Sequence, residues 1–409
     1  MDERIEPPPG PTAVAWRRLG EDGGLRVRSA QVLQVELPFL RPVTTAVGVH
    51  RHRPLVLVRL VCRSADGALV EGWGECVALA DTTYDDEDAA GAFTALGDDL
   101  LPALLASVSR DHGLPSVATL PEAVPRADRP LAWSALEMAV GDAHLRAGGR
   151  ALADVLGVTV RQVAPGAVLG LPTTSDALLA DLGRLQSLGY ARAKVKVAPG
   201  MEQVLVEALT DRDSGGIPVQ VDANGAYGPT TLGGLDELDR LGLLCIEQPL
   251  DDDLEGLRAL ASRLTTPVCL DESLTSPARV VEAVTTGACS VVCVKPARLG
   301  GIAAALDVID WCTSAGVTWW IGGMFESGFG RQVLTVLVAL PGVGLPGDLA
   351  PTATYLGADL VGPPTVTRAP GSGALHIDVY DGPGVASSPS ADAVEAVLVR
   401  RTEVVAAPG

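Results

Sequence analysis

Two lysines stand two residues apart in the stretch AKVKV, Lys194 and Lys196, inside an apolar run. In an extended chain both ammonium groups point to one face, about 7 Å apart. Three acids follow at regular intervals: Asp222 in VDAN, Glu247 in CIEQP and Asp271 in CLDES, 25 and 24 residues apart. A further lysine, Lys295, ends the run SVVCVKP. Each of these residues closes a short hydrophobic run, where a lone charge would cost free energy. Three converging carboxylates repel one another, so they require a cation between them. The expected ligands Asp222, Glu247 and Asp271 offer only oxygen, with no His or Cys at the same tips, which points to Mg²⁺, with Mn²⁺ as a substitute. Such an ion keeps positions open for the oxygens of a substrate carboxylate.

The runs that carry these residues recur eight times, at AVLGL, ARAKVKV, PVQVDAN, LLCIEQP, PVCLDES, SVVCVKP, VTWWIGG and GVGLPGD, roughly 24–27 residues apart. Segments of helical period, such as SDALLADLGRLQSLG, separate them. Eight repeats of strand then helix predict a (β/α)8-type barrel, with the site at the C-terminal strand ends. Counted from AVLGL, strands two and six face each other across the mouth, with the acidic strands three to five between them. A carboxylate held by the ion would place its α-carbon between Lys196 and Lys295. One amine could then take the α-proton from one face, with the other amine acting on the opposite face. A free lysine titrates near ~10.4, and bringing it to about 7–8 takes about 4 kcal/mol. Lys194 supplies like-charge repulsion toward that end.

Before the barrel, three strand-like runs at 27–37, 54–62 and 67–77 suit an antiparallel meander, followed by helical stretches at 88–108 and 130–149. They predict a small α+β domain. The reading divides the chain into a flexible extension (1–27), a capping domain (28–158), the barrel (159–365) and a segment returning to the cap (366–409). That last segment ends in a loose tail, apart from a helix in SADAVEAVLVRR capped by Ser390. A formal net charge of −19 argues against nucleic acid or an anionic membrane as partner. No uncharged apolar run reaches the ~18–20 residues that cross a bilayer, and the N-terminus has no secretory pattern. The seven cysteines form no CxxC pair and read as reduced thiols of a cytoplasmic protein. Cys245, Cys269 and Cys293 lie one layer beneath the strand-end charges, as small fillers of the barrel core.

Together these motifs resemble the muconate-lactonizing subgroup of the enolase superfamily, and within it the o-succinylbenzoate synthase / N-succinylamino acid racemase family. EGWGECVAL, ALEMAVGDAHLRAGGRALADVLG and the strand-seven tip GGMFESGFGR strengthen the likeness. The resemblance implies an α/β fold: a (β/α)7β TIM-like barrel under an α+β cap, with residues near 38–53 closing over the substrate. It implies Lys196, Lys295 and Lys194 as catalytic residues and Arg298, Asn224, Gly323, Met324 and Glu326 as substrate-binding ones. It further implies a homo-oligomer acting on a small carboxylate, with Mg²⁺-dependent dehydration of a cyclohexadiene carboxylate for menaquinone. N-succinylamino acid racemisation is the alternative. A dipeptide epimerase is disfavoured, because Leu349 and Ala350 follow Asp348 where that activity carries a DxD. A histidine-based racemase site is disfavoured because all five histidines avoid the strand tips. A carboxylate-binding homologue without activity stays open. Val43 and Val47 stand where family members often carry Phe.

Overall fold

The computed structural model describes residues 7–45, 48–108, 113–126, 128–210 and 216–404. Three β-branched, alternating segments, Arg26–Thr45, Gly48–Arg63 and Leu69–Cys76, pair antiparallel as the expected meander. The helix Pro130–Ala147 lies across this sheet. Its close approach depends on Gly72 and Gly74, since a Cβ on either would collide with the helix carbonyls of Ala139 or Ala135. The apolar helix Ala89–Val108 is long enough to cross a membrane, but carries Asp98 and Asp99 and packs into this domain.

Seven parallel strands follow, at Gly166–Leu169, Arg192–Lys196, Val219–Asp222, Ile246–Glu247, Val268–Leu270, Val291–Val294 and Thr318–Ile321. They are called strands one to seven below, and each pairs with its sequence neighbour. The eighth run, 342–348, forms no strand. Its backbone instead bonds both edges: Gly344 N and Asp348 N donate to Trp319 and Ile321 of strand seven, and Gly347 O accepts from Gly166 N of strand one. Three glycines and a proline in seven residues keep that segment from a regular ladder. Side chains meet across the interior, with the Lys194 ammonium of strand two 5.0 Å from the Trp320 ring of strand seven.

Both termini differ from the expectation. Residues Pro11–Arg17 form a helix, with proline favoured at its first position. Trp16 is fully buried and its Nε1 donates to Glu137 Oε1 at 2.7 Å. Arg17 grips Asp307 at 2.7 and 2.5 Å, and Thr12 Oγ1 donates to Asp310 at 2.6 Å. Proline-rich composition suggested a flexible extension, but one large aromatic with a buried partner outweighs that signal. At the other end, Ser390 caps a helix as expected, which stops at Val397. Leu398–Val404 then pairs with the first cap strand, satisfying an edge that would otherwise present bare N–H and C=O groups. Leu375–Asp378 pairs with Gln162–Val163 rather than with the cap. Return to the cap comes at Gly384 and Val385, through Leu152 N to Gly384 O and Val385 N to Asp142 Oδ1.

Trp16→Ala is expected to lower the unfolding free energy by about 3–5 kcal/mol in urea titration. Val399→Ala, on a residue 53% exposed, is expected to stay within about 0.5 kcal/mol of wild type. Equal stabilities for the two variants would mean that the N-terminal helix is not part of the core.

Candidate active site

Strand two sends Arg192, Lys194 and Lys196 to one side, in steps of two. Arg192 is deepest, bonded to Gln220 and at 2.5 Å to Asp348. Lys194 comes next, with its Nζ at 2.7 Å from Glu247, 2.9 Å from Asp222 and 3.6 Å from Asp348. Burial works against the Lys194 charge, yet these carboxylates outweigh it and keep the ammonium protonated. Lys196 is outermost, its side chain 26% exposed. Its Nζ donates to Asp222 Oδ2 at 2.7 Å and to Asn224 Oδ1 at 2.6 Å. The awkward pair of the sequence therefore shares one carboxylate oxygen, Asp222 Oδ2.

Asp222, Glu247 and Asp271 end strands three and four and follow strand five, all buried. Burial would raise each carboxyl. For Asp222 the nearby Lys194 and Lys196 overcome it, and for Asp271 Arg298 and Lys295 do, so both stay ionised well below the usual range. Glu247 is pushed up to about 8, by burial first and by the Asp222 charge next. Three carboxylates thus converge with one of them short of positive charge. One oxygen each of Glu247 and Asp271 lies within 4.8 Å of the other. The third donor within that distance is the Cys293 thiol, with Asp222 outside this group but joined to Glu247 through Lys194, and such buried donors fit a divalent cation.

On the far side, Lys295 follows strand six, its side chain 4% exposed. Its Nζ lies 2.8 Å from Asp271 and donates to the Tyr84 hydroxyl, and sits 4.7 Å from that ring's centroid. Gly322 makes room for this: a Cβ there would overlap Cys293 Sγ and approach Lys295 Cε to 3.0 Å. Tyr84, whose hydroxyl also donates to Asp271 at 2.7 Å, comes from a cap loop and escaped the sequence reading. Only its place four residues before the N-cap Asp88, beyond the third cap strand, hints at it. Arg298, expected to bind substrate, has its guanidinium in protein contacts. It is 3% exposed, bonds Asp271 and Asp85, and stacks on Tyr84, so its guanidinium is occupied with holding a candidate ligand.

The remaining expected residues serve mainly as braces. Asn224 adopts a left-handed φ of 44°, which turns its amide to accept from Lys196 and donate to Glu272. Glu326 accepts from Met324 N at 2.7 Å and pairs with Arg331 at 3.0 Å, so it stiffens the strand-seven tip from within. Gly323 is tight, since a Cβ would meet Arg331 and the Asp348 backbone. The cap holds this tip with two groups missed in the sequence. Arg53, buried, donates to the carbonyls of Met324 and Phe325 as well as Val77 and Ala78. Glu75 accepts from Ser327 N and Ser327 Oγ, and its carboxyl is pushed up to about 7 by burial. Phe39 of the cap meets the Phe325 ring edge-on at 5.6 Å. Val43 is half-buried, and Val47 lies outside the described residues.

Comparison with known proteins gives matches over most of the chain. Residues 27–157 match the family described as mandelate racemase / muconate lactonizing enzyme, N-terminal domain, and residues 177–393 match the enolase C-terminal domain-like family. An N-succinylamino acid racemase of Amycolatopsis sp is 36% identical, over 92% of this chain and 99% of that protein. An o-succinylbenzoate synthase of Geobacillus kaustophilus is also 36% identical, over 83% of this chain and 90% of that one. A probable mandelate racemase from Alicyclobacillus acidocaldarius superposes with a TM-score of 0.83 at 34% identity, covering 93% of this chain and 98% of the other.

Gly322→Ala is expected to shift Lys295 and cost on the order of 10²-fold in kcat, because displacement of a reacting group by about 1 Å has that effect. Circular dichroism should stay native. An unchanged kcat would show that Lys295 needs no such room.

Proposed function

Because this chain belongs to the mandelate racemase / muconate lactonizing enzyme family, within the enolase superfamily, we propose that it is an o-succinylbenzoate synthase with N-succinylamino acid racemase as the second reading. The observation that carries the first reading is the asymmetry of the two lysines. Lys196 has the exposed amine, steered by Asp222 and Asn224. Lys295 is buried and clamped by Asp271 and Tyr84, and Asp271 overcomes the effect of burial to hold it protonated. We read residues 342–348 as the eighth stave of a (β/α)7β barrel, because they bond both edge strands.

In the dehydration, Lys196 Nζ as free amine takes the α-proton of a cyclohexadiene carboxylate. The electron pair left on the α-carbon forms the new C=C bond as the β C–O bond breaks. Lys196 then returns its proton to the departing oxygen, which leaves as water. Lys295 stays a fixed cation on the opposite face, where carboxylate charge grows. Lys194, held charged by Asp222 and Glu247, adds to that field. Asp222, Glu247 and Asp271 would hold a divalent cation, which we take to be Mg²⁺, and it would supply positive charge where charge grows on the substrate carboxylate. In the racemisation, one lysine removes the α-proton and the other delivers one to the opposite face. The placement of Lys196 and Lys295 on strand ends two and six favours this second reading, as do relatives named for that activity.

A paired assay of dehydration and racemisation, comparing kcat/KM for each, is the test. Lys196→Ala should lose at least about 10²–10⁴-fold in both activities while calorimetry still detects Mg²⁺. Lys295→Ala should lose racemisation altogether and weaken dehydration. Chelation of divalent ions should remove both activities, and Mg²⁺ should restore them. A Lys196→Ala variant with full turnover would take that amine out of the mechanism. If no succinylated substrate reacts or exchanges its α-proton with solvent deuterium, the protein is a binder.

A further inference from the structure

Cys293 sits two residues before Lys295 on strand six, so its thiol enters the interior one layer beneath that amine. It is 2% exposed. Its Sγ and one carboxylate oxygen each of Glu247 and Asp271 all lie within 4.8 Å of one another. The two neighbouring interior thiols are otherwise engaged. Cys269 Sγ accepts from Trp320 Nε1 at 3.3 Å, and Cys245 is hydrogen-bonded to Cys269. Gly322, without a side chain, is what lets the Cys293 sulfur sit there, because a Cβ at that position would overlap it.

We propose that Glu247, Asp271 and Cys293 form a thiol-containing metal subsite, which takes zinc or another thiophilic divalent ion in competition with the hard ion of the three carboxylates. The proposal rests on the reading of Glu247 and Asp271 as metal ligands, not on the reaction assigned. A borderline-soft ion prefers one sulfur and two oxygens over three oxygens, whereas Mg²⁺ has the opposite preference. Zinc binds sulfur at about 2.3 Å and carboxylate oxygen at about 2.0–2.2 Å, so the three donors need to close in by about 1 Å. On binding, the S–H bond breaks, its proton leaves to solvent, and the sulfur lone pair goes to the ion. Lys194 and Lys295, which now bond Glu247 and Asp271, each give up one contact. A water completes four-coordination. An ion bound this way lies a layer below the depth at which Asp222 can also reach a substrate carboxylate, so zinc acts as an inhibitor of the Mg²⁺ form.

The test reads the metal directly. X-ray absorption of the zinc-loaded wild-type protein should show one sulfur scatterer at about 2.3 Å. Cobalt(II) added to metal-free protein should give a thiolate-to-metal charge-transfer band that Cys293→Ser abolishes and Cys269→Ser keeps. Cys293→Ser should also weaken zinc binding at least about tenfold, and Mg²⁺ binding by much less. A shell of oxygen and nitrogen alone, or a band that survives in Cys293→Ser, overturns the proposal. The absorption experiment needs no variant, so a misfolded Cys293→Ser leaves it decisive. Sulfur ligation without turnover of any succinylated substrate would sink the proposed reaction and leave this subsite standing. Turnover with an all-oxygen zinc shell would do the reverse.

Discussion

Mutual repulsion among Asp222, Glu247 and Asp271, out of contact with water, is the constraint to which the rest of the molecule answers. Charges removed from water are costly unless each finds a partner in good geometry. Strand two responds with Lys194 and Lys196, and the segment after strand six with Lys295 and Arg298. The four cations flank three acids from both sides, and Glu247 still titrates high. Burial and carboxylate repulsion at Glu247 are what a divalent ion among these oxygens would relieve. The same crowding fixes the lysines, because an amine bound to a buried carboxylate cannot drift.

The cap does more than cover this arrangement. Tyr84 reaches down from it to touch Asp271 and Lys295 together, and its ring lies beneath two cations. Arg53 and Glu75 hold the strand-seven tip by its backbone groups. Arg53 binds the tip through two of its carbonyls, those of Met324 and Phe325, and so places it without regard to which side chains it carries. The sheet supplies the charges, and the first domain holds Asp271, Lys295 and the strand-seven tip beside them.

Strand-end residues were legible in the sequence because parallel strands joined by helices recur at a nearly constant interval and bring their C-terminal ends to one edge of the sheet. Lys194, Lys196, Asp222, Glu247, Asp271 and Lys295 all came from that periodicity, and the structure gathers them. Tyr84, Arg53 and Glu75 were not legible, since contacts between domains leave no period along the chain. Arg298 was visible but its task was not: spacing places a guanidinium near strand six without saying that Asp271 and Asp85 will occupy it. At the ends of the chain, composition misled. PPPGP hid a helix, and LVRRTEV, whose first residues continue a helical pattern, is drawn into a strand by an open sheet edge.

The helix Pro11–Arg17 has a consequence for how such chains are divided. The family match begins at residue 27, after this helix. Yet Trp16 bonds Glu137, whose other contacts are the backbone N–H groups of Ile302 and Ala303 at the start of the barrel helix that follows the Lys295 segment. The portion that the family model matches and the portion that packs into one core are therefore different lengths. A boundary drawn from relatives alone passes through packed interior, close to the helix that seats one of the two facing lysines.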